Sequence, residues 1–447
     1  MSTARSLLID ISPLRESAPF RRIFVARLIS LIGIGLLLVS VPVQMYDLTK
    51  SSAQVGAATA VTGITTFVGM LVGGSLADRF DRKRLILIGR SGAALSFAGL
   101  AINAFGLIAG TPSVAVLYGL AGIDGLIGAL STSALMAAVP TLIPRDQLVA
   151  VGALSALTVR IGSAVSPGIA GFIIAGAGVE WAYVIAACLA TTTVLILIGL
   201  PSMPPTAPVV GHTPPKPTGT EATTPQATTS PPQAGRSAAP QAKTSLVRFI
   251  VEQRVVAGVM IVGVLAMLGA GIVALLPALV AERFDSDARA TGLLYAAVAA
   301  GAMVAALTSG WLSAIQRPGV VLVSALTLTF VVQILFGLAP IIWLALALLV
   351  VIGFIEAIQE VLRYAIIQHH TPGPLLGRVN GIWMAQEVGG VTVGAVVAGA
   401  FGTIWVASDA IVYYGIVMVV LSGIAALTLR SLTAVRKEPA AQETSVR

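Results

Sequence analysis

Twelve long apolar runs are the feature that most restricts what this chain can fold into. They fall at about 21–46, 54–77, 84–108, 113–142, 147–175, 180–200, 254–281, 289–314, 319–338, 340–369, 376–404 and 409–432. Each is long enough to cross roughly 30 Å of hydrocarbon as a helix. Lipid offers no partner to an open backbone, so each run must close its own hydrogen bonds. Of the 447 residues 56% are hydrophobic and 10% charged, against about 25% charged in soluble domains, so the chain reads as an all-α membrane protein. A net charge of +8 would suggest nucleic acid in a soluble protein. Here the basic residues sit in the short connections, which makes them a topology signal and leaves no nucleic-acid partner to invoke. Cys188 is the single cysteine, so no internal disulfide is available, and it reads as a small core hydrophobe. The first run is too long for a signal h-region and no small-residue cleavage site follows it, which predicts a retained N-terminus.

Placing the N-terminus in the cytoplasm puts Arg15, Arg21, Arg22, Arg79, Arg82, Lys83, Arg84, Arg145, Arg317, Arg378 and Arg436 on that side and leaves Lys50, Arg283 and Arg289 outside. This asymmetry predicts both termini inside. Residues 201–243, rich in Pro, Thr, Ala and Gln without apolar periodicity, predict a disordered cytoplasmic linker. The expected organisation is therefore a six-helix half over 1–200, a linker over 201–243, a second six-helix half over 244–433 and a tail over 434–447. Residues 245–254 read as a short amphipathic helix, with Leu246, Phe249 and Ile250 on one face and Arg248 and Glu252 on the other. The halves also repeat. A slide of 236 residues brings Gly56 to Gly292, Gly74 to Gly310 and Leu76 to Leu312. One of 228 brings Pro144 to Pro372, Leu148 to Leu376, Gly162 to Gly390 and Gly171 to Gly399. Parallel repeats of six helices enclose a central cavity between two halves.

The connection after the second run reads Gly74-Ser-Leu-Ala-Asp78-Arg79-Phe-Asp-Arg82-Lys83-Arg84. Glycine lets a helix end approach a neighbour, Asp78 suits the positive end of a helix dipole, and the basic cluster holds the loop in the cytoplasm. The run resembles the loop motif A of the major facilitator superfamily, which implies a secondary transporter of twelve transmembrane helices in two parallel-repeat halves, with Gly74, Asp78, Arg79 and Arg82 in a gate. Asp78 is then expected to meet the start of the eleventh helix near Leu375 to Arg378, with Arg82 as its ionic partner. Asp81 departs from the motif, which usually has glycine there, and in the second half Ala314 stands where the acid would be. In the fifth run Gly162, Ser166, Pro167, Gly168, Ala170 and Gly171 form a small-residue packing face with a proline bend. It resembles motif C of the proton-driven exporters, from which it departs at Ser166 and Ala170.

Charges at mid-bilayer are costly and face a cavity or one another. Asp124 in the fourth run and Arg160 in the fifth lie near the midplane and are a candidate ion pair. One reading couples proton uptake by Asp124 to conformational change; the other is a static brace between helices. The slide of 228 places Glu387 opposite Val159, beside Arg160, so both charges can look into one cavity; Asn380 and Gln386 share the helix of Glu387 and suit a polar ligand. Glu356, Gln359, Glu360 and Arg363 form a stripe at spacings of three and four, with Glu360–Arg363 and Glu356–Gln359 contacts expected within it and Glu356 a further proton-coupling candidate. Arg27 either snorkels to the interface or lines the cavity mouth. His369 and His370 read as interfacial, and no ligand spacing suggests a metal site. No Gly-Lys-Ser phosphate loop is present, which argues against ATP coupling and leaves no cofactor to expect.

Phe24-Val-Ala-Arg27-Leu-Ile-Ser30, Val41-Pro-Val-Gln44, Leu157-Thr-Val-Arg160-Ile-Gly-Ser163 and Leu376-Gly-Arg-Val-Asn-Gly-Ile-Trp383 are similar to the bacterial siderophore exporters of the enterobactin type. The resemblance runs along nearly all the membrane-embedded chain. It implies a proton-coupled, non-enzymatic exporter in the bacterial inner membrane, monomeric, with a small-molecule substrate, protons and lipid as partners. It also implies importance for Arg27, Asp124 and Arg160. Glu356, Glu360, Glu387 and the long linker depart from the family. Polar groups such as Arg27, Gln44, Arg160 and Gln386 lean toward a siderophore, read here as a catecholate. A drug exporter of the same superfamily is the first rival and a non-transporting scaffold or sensor the second.

Overall fold

The computed structural model describes residues 12–108, 110–144, 147–204, 246–285 and 287–436; most of the expected linker and the tail beyond Arg436 lie outside them. Among the described residues twelve helices are long and apolar enough to cross a membrane. The first half comprises α1 (Ser12–Glu16), α2 (Ala18–Thr49), α3 (Ser52–Ala77), α4 (Arg82–Ala104), α5 (Val114–Leu142), α6 (Leu148–Ala177) and α7 (Val179–Ile198). The second comprises α8 (Leu246–Glu252), α9 (Arg254–Gly269), α10 (Leu276–Arg283), α11 (Ala288–Thr308), α12 (Pro318–Gly337), α13 (Ile342–His370), α14 (Gly373–Ile404), α15 (Ala407–Thr428) and α16 (Arg430–Thr433). Starts are set by local chemistry. The Ser17 hydroxyl accepts from Phe20 N at the head of α2, and the Asp287 carboxylate accepts from Arg289 N at the head of α11, each satisfying an amide that the helix leaves open. The amphipathic expectation for α8 holds where side chains are described, since Phe249 is buried against the core.

The seventh run is not one helix. Between α9 and α10 the backbone tightens to a 3-10 turn over Ala270–Leu275. Gly271 lies against the backbone of Gly394 and Gly269 against the Phe330 ring, both closer than any Cβ would allow. The Tyr414 hydroxyl donates to Leu268 O at 2.7 Å and the Tyr295 hydroxyl to Val273 O at 3.2 Å, so carbonyls loosened by the break find partners inside the protein. A hydropathy pattern cannot register this, because the break changes no residue's polarity. Elsewhere threonines bond to their own helix, Thr62 to Ala58 O and Thr132 to Gly128 O, both at 3.1 Å. The outer surface is apolar, with Leu95 73%, Leu307 81% and Leu427 75% exposed, a belt that only lipid can cover.

The halves meet along two helix pairs, α3 with α14 and α6 with α11. The sequence slides make α3 the counterpart of α11 and α6 the counterpart of α14, so the two seams are the same contact repeated by internal symmetry. Both are tight at one end. A Cβ on Gly171 would stand 2.7 Å from Ala288 O and 2.8 Å from Gly292 Cα, and one on Gly56 would collide with Ala395 O. At the other end, which carries the Asp78–Arg84 loop, Gly74, Gly152, Gly310 and Gly377 have nothing within 4 Å of a built Cβ. The halves are therefore closed at the end away from the basic loops and splayed at the other. Gly171→Val is expected to force the closed end apart at an overpacking cost of about 1–3 kcal/mol. Spin labels across that end should report a longer distance with the protein still monodisperse; an unchanged distance would refute the assigned seam.

Candidate functional site

Three hollows join along the axis between the halves. The middle one, about 320 Å³, runs past Ile34, Leu38, Pro42, Thr59, Thr62, Thr66, Asp124, Val391 and Thr392. It shares Ile34, Thr62, Thr66 and Asp124 with a hollow of about 240 Å³ inside the first half. Through Leu38, Pro42, Thr59 and Val391 it also shares a wall with one of about 430 Å³ against the second half. Each outer hollow holds buried charge. A fourth space, about 440 Å³, lies beyond the closed seam against Tyr46, Asp47 and Asp287.

In the first half a buried cation that the sequence pattern masks, Arg90, acts on Asp124. Arg90 on α4 is 8% exposed and lines the same hollow as Asp124 and Ser30. Its guanidinium donates to the Ser30 hydroxyl, while its Nε has no hydrogen-bond partner. Arg90 and Asp124 act on each other electrostatically, and Arg27, half-buried on α2, acts on Arg90. The side chain of Arg160 lies outside those described, so the expected pair with Asp124 has no described geometry. Arg90 carried no sequence signal of its own: six residues past Arg84, it reads as one more member of the basic edge. Its spacing of four from Ile86 and three from Ala93, both on α4's buried side, was the available clue. Gln44 does not line these hollows. It is buried, and its Oε1 accepts from the Tyr183 hydroxyl at 2.9 Å.

In the second half Glu356, Glu360, Arg363 and Glu387 line one hollow with Tyr295. The stripe on α13 is real, but its bonds leave the helix. Arg363, 3% exposed, pairs with Glu387 on α14 at 3.2 Å, and the Trp383 indole donates to the same Glu387 oxygen at 2.7 Å. Gln359 donates to Thr329 Oγ1 on α12 at 2.8 Å and not to Glu356. Arg363 also lies over the Trp383 ring, 5.6 Å from its centroid. Gln386 reaches α9 at Gly263, and Asn380 Oδ1 is buried without a hydrogen-bond partner. Neither is among the residues that line the hollow.

The small-residue face of α6 divides its work. Gly162 packs on Leu31 and Ser166 sits against Gly35, both on α2, whereas Gly171 and the carbonyl of Pro167 meet Gly292 across the seam. In the α3–α4 loop, Asp78 and Arg79 are exposed. Asp78 makes no ion pair with Arg82 among the described residues. Asp81 is the anchored acid. Its carboxylate accepts from Lys83 N at 2.8 Å, capping α4, and from Met203 N at 3.2 Å and the Ser202 hydroxyl beyond α7. The departure from glycine thus ties residues 202–203 to the loop. Burial raises the Asp81 pKa, but the bonds from Ser202, Met203, Lys83 and Arg84 outweigh it and hold the group below its ordinary range.

A family model described as Major Facilitator Superfamily matches residues 23–269 and 259–446. Curated relatives include the protein named Enterobactin exporter EntS of Citrobacter koseri, 37% identical over 417 residues, 93% of this chain and 93% of that protein. Its namesake in Shigella boydii is 36% identical over 435 residues, 97% of each. Among solved structures, the nucleoside transporter NupG superposes with a TM-score of 0.65 at 14% identity, covering 94% of this chain and 100% of that one. A bacterial homologue of the iron transporter ferroportin, in an inward-facing state, gives 0.66 at 12%, covering 93% and 99%. These two likenesses concern the fold alone.

The Asp81 tether makes a definite expectation. Asp81→Ala should cost about 0.5–2 kcal/mol at the head of α4, seen as faster amide exchange at Lys83 and Met203. Because the folded pKa is depressed, the contribution is present above the unfolded value of about 3.9 and is lost as pH falls through the folded value. The wild-type and variant exchange profiles should therefore converge only in strong acid; convergence near neutrality would remove the tether.

Proposed function

The chain belongs to the major facilitator superfamily, and we propose that it carries a siderophore of the enterobactin type out of the cytoplasm in exchange for protons, by alternating access. The observation that carries this reading is the joined cavity between the halves, closed at one end, with ionisable groups at both of its flanks. Intramembrane charge is retained where it serves a pathway. The substrate class is supported by near-full-length likeness to relatives named enterobactin exporters. The basic loops set the splayed end toward the cytoplasm, so the arrangement is open to substrate from inside. The apolar stretch Ile34, Leu37, Leu38, Val41 and Pro42 in the middle hollow favours a second reading, an exporter of amphipathic drugs.

Asp124 alternates between pairing with Arg90 and carrying a proton, Glu356 and Glu387 being the second candidate carriers. When the cytoplasmic end closes, Asp78 meets the positive end of α14 near Leu375 to Arg378. The protein works as a monomer in the bacterial inner membrane, with both termini and the linker in the cytoplasm. An impermeant reagent reaching the linker from outside intact cells would refute that orientation.

Proteoliposomes loaded to export enterobactin along an imposed pH gradient test the function. Asp124→Asn is expected to abolish gradient-driven export while the protein remains folded; uphill transport by this variant would move the proton carrier elsewhere. Asp78→Asn should lower the rate at equal protein, and an unchanged rate would remove the gate.

A further inference from the structure

Resting on the exporter reading and deepening it, we propose that the pocket around Arg90 and Asp124 is a subsite for a neutral catechol head group. Arg90 is its donor and the ionised Asp124 its acceptor. The pocket is built for one ring. Its volume is about 240 Å³, whereas a cavity of about 150 Å³ accepts benzene, and Phe97 and Ala93 give it an apolar wall. Arg90 is fixed through Ser30 yet keeps a buried Nε–H with no partner. Leaving such a donor unmet is costly, and the rest of the guanidinium lines the pocket, where a ligand oxygen can approach it. Asp124 makes no hydrogen bond among the described residues, so both carboxylate oxygens are available.

The ligand must answer a donor and an acceptor together. A carboxylate or sulfate would satisfy Arg90 but bring a second anion against Asp124. A vicinal diol on an aromatic ring satisfies both, because each phenolic hydroxyl, like that of tyrosine, donates and accepts and stays protonated at neutral pH. Hydrogen bonds to an ionised acceptor are roughly twice as strong as neutral ones. A proton arriving on Asp124 therefore weakens the hold on the catechol, which makes proton and head group competitors, as exchange requires. Among the described residues the charged groups facing Asp124 are Arg90 from α4 and, behind it, Arg27 from α2. No residue of α3 is charged, and α14 contributes Val388 and Thr392, with Glu356 and Glu387 in the separate hollow of the second half.

The test uses the full chain in lipid nanodiscs with two probes, N-methyl-2,3-dihydroxybenzamide and its dimethoxy analogue, read by calorimetry. The dihydroxy probe should bind at least tenfold more tightly, and its affinity should fall as pH is lowered from about 8 to about 5. Arg90→Lys and Asp124→Asn should each weaken it about tenfold. The wild-type pH profile needs no variant to fold. Equal binding of the dimethoxy probe, or affinity that is flat or rising in acid, overturns the subsite. If wild type fails to bind the catechol but still exports enterobactin from proteoliposomes, the subsite falls and the exporter reading stands. Catechol binding without export would support the subsite and sink the exporter reading.

Discussion

Backbone-to-backbone contact at one end of two helix pairs is the constraint on which the rest of the molecule depends. Between helices in lipid there is little hydrophobic drive, and association rests on close packing of small residues. Gly171 on Gly292, and Gly56 on Ala395, bring α6 to α11 and α3 to α14 more closely than any larger side chain would permit. Helices pinned at one end diverge toward the other. That divergence creates the hollows and decides which end is open.

Within that frame the two halves, though repeats, organise their charges differently. The first places its arginine on α4 and its acid on α5, with a serine of α2 as the brace. The second places its arginine on α13 and joins it to an acid and an indole on α14. Arg363 is met by a carboxylate that an indole N–H also holds, and it lies over a ring face, although its Nε has no hydrogen-bond partner. Arg90, with one serine bond and no ion pair among the described residues, is held by fewer partners. The second-half cluster thus resembles a fixed joint, while the first-half group keeps capacity for a guest.

The spans and the two-half division were legible in the sequence because hydrophobic length and basic asymmetry are one-dimensional quantities. Helix ends fell within a few residues of the expected runs, and Phe249 joined the core as its periodicity implied. The site was legible only in part. Asp124, Glu356 and Glu387 announce themselves as acids in apolar runs and do line the hollows. Arg90 sits close to a basic cluster and is masked by it, and the bond from Ser202 to Asp81 spans 121 residues, a convergence that no local pattern encodes. Arg363 was grouped with its own helix by spacing, but found its partner on α14 because a buried cation needs an acid at contact distance, wherever the chain supplies it.

The 3-10 turn over Ala270–Leu275 has a mechanical consequence. Its glycine is wedged against Gly394, and tyrosines of α11 and α15 hold the carbonyls on either side. A kink fastened from both flanks cannot slide along its helix. If the halves rock as proposed, α9 and α10 would turn about that one point as the two arms of a lever, its fulcrum fixed in the wall of the cavity. A displacement of the arm nearer the basic loops would then be returned, reversed in direction, to the arm beside the closed seam.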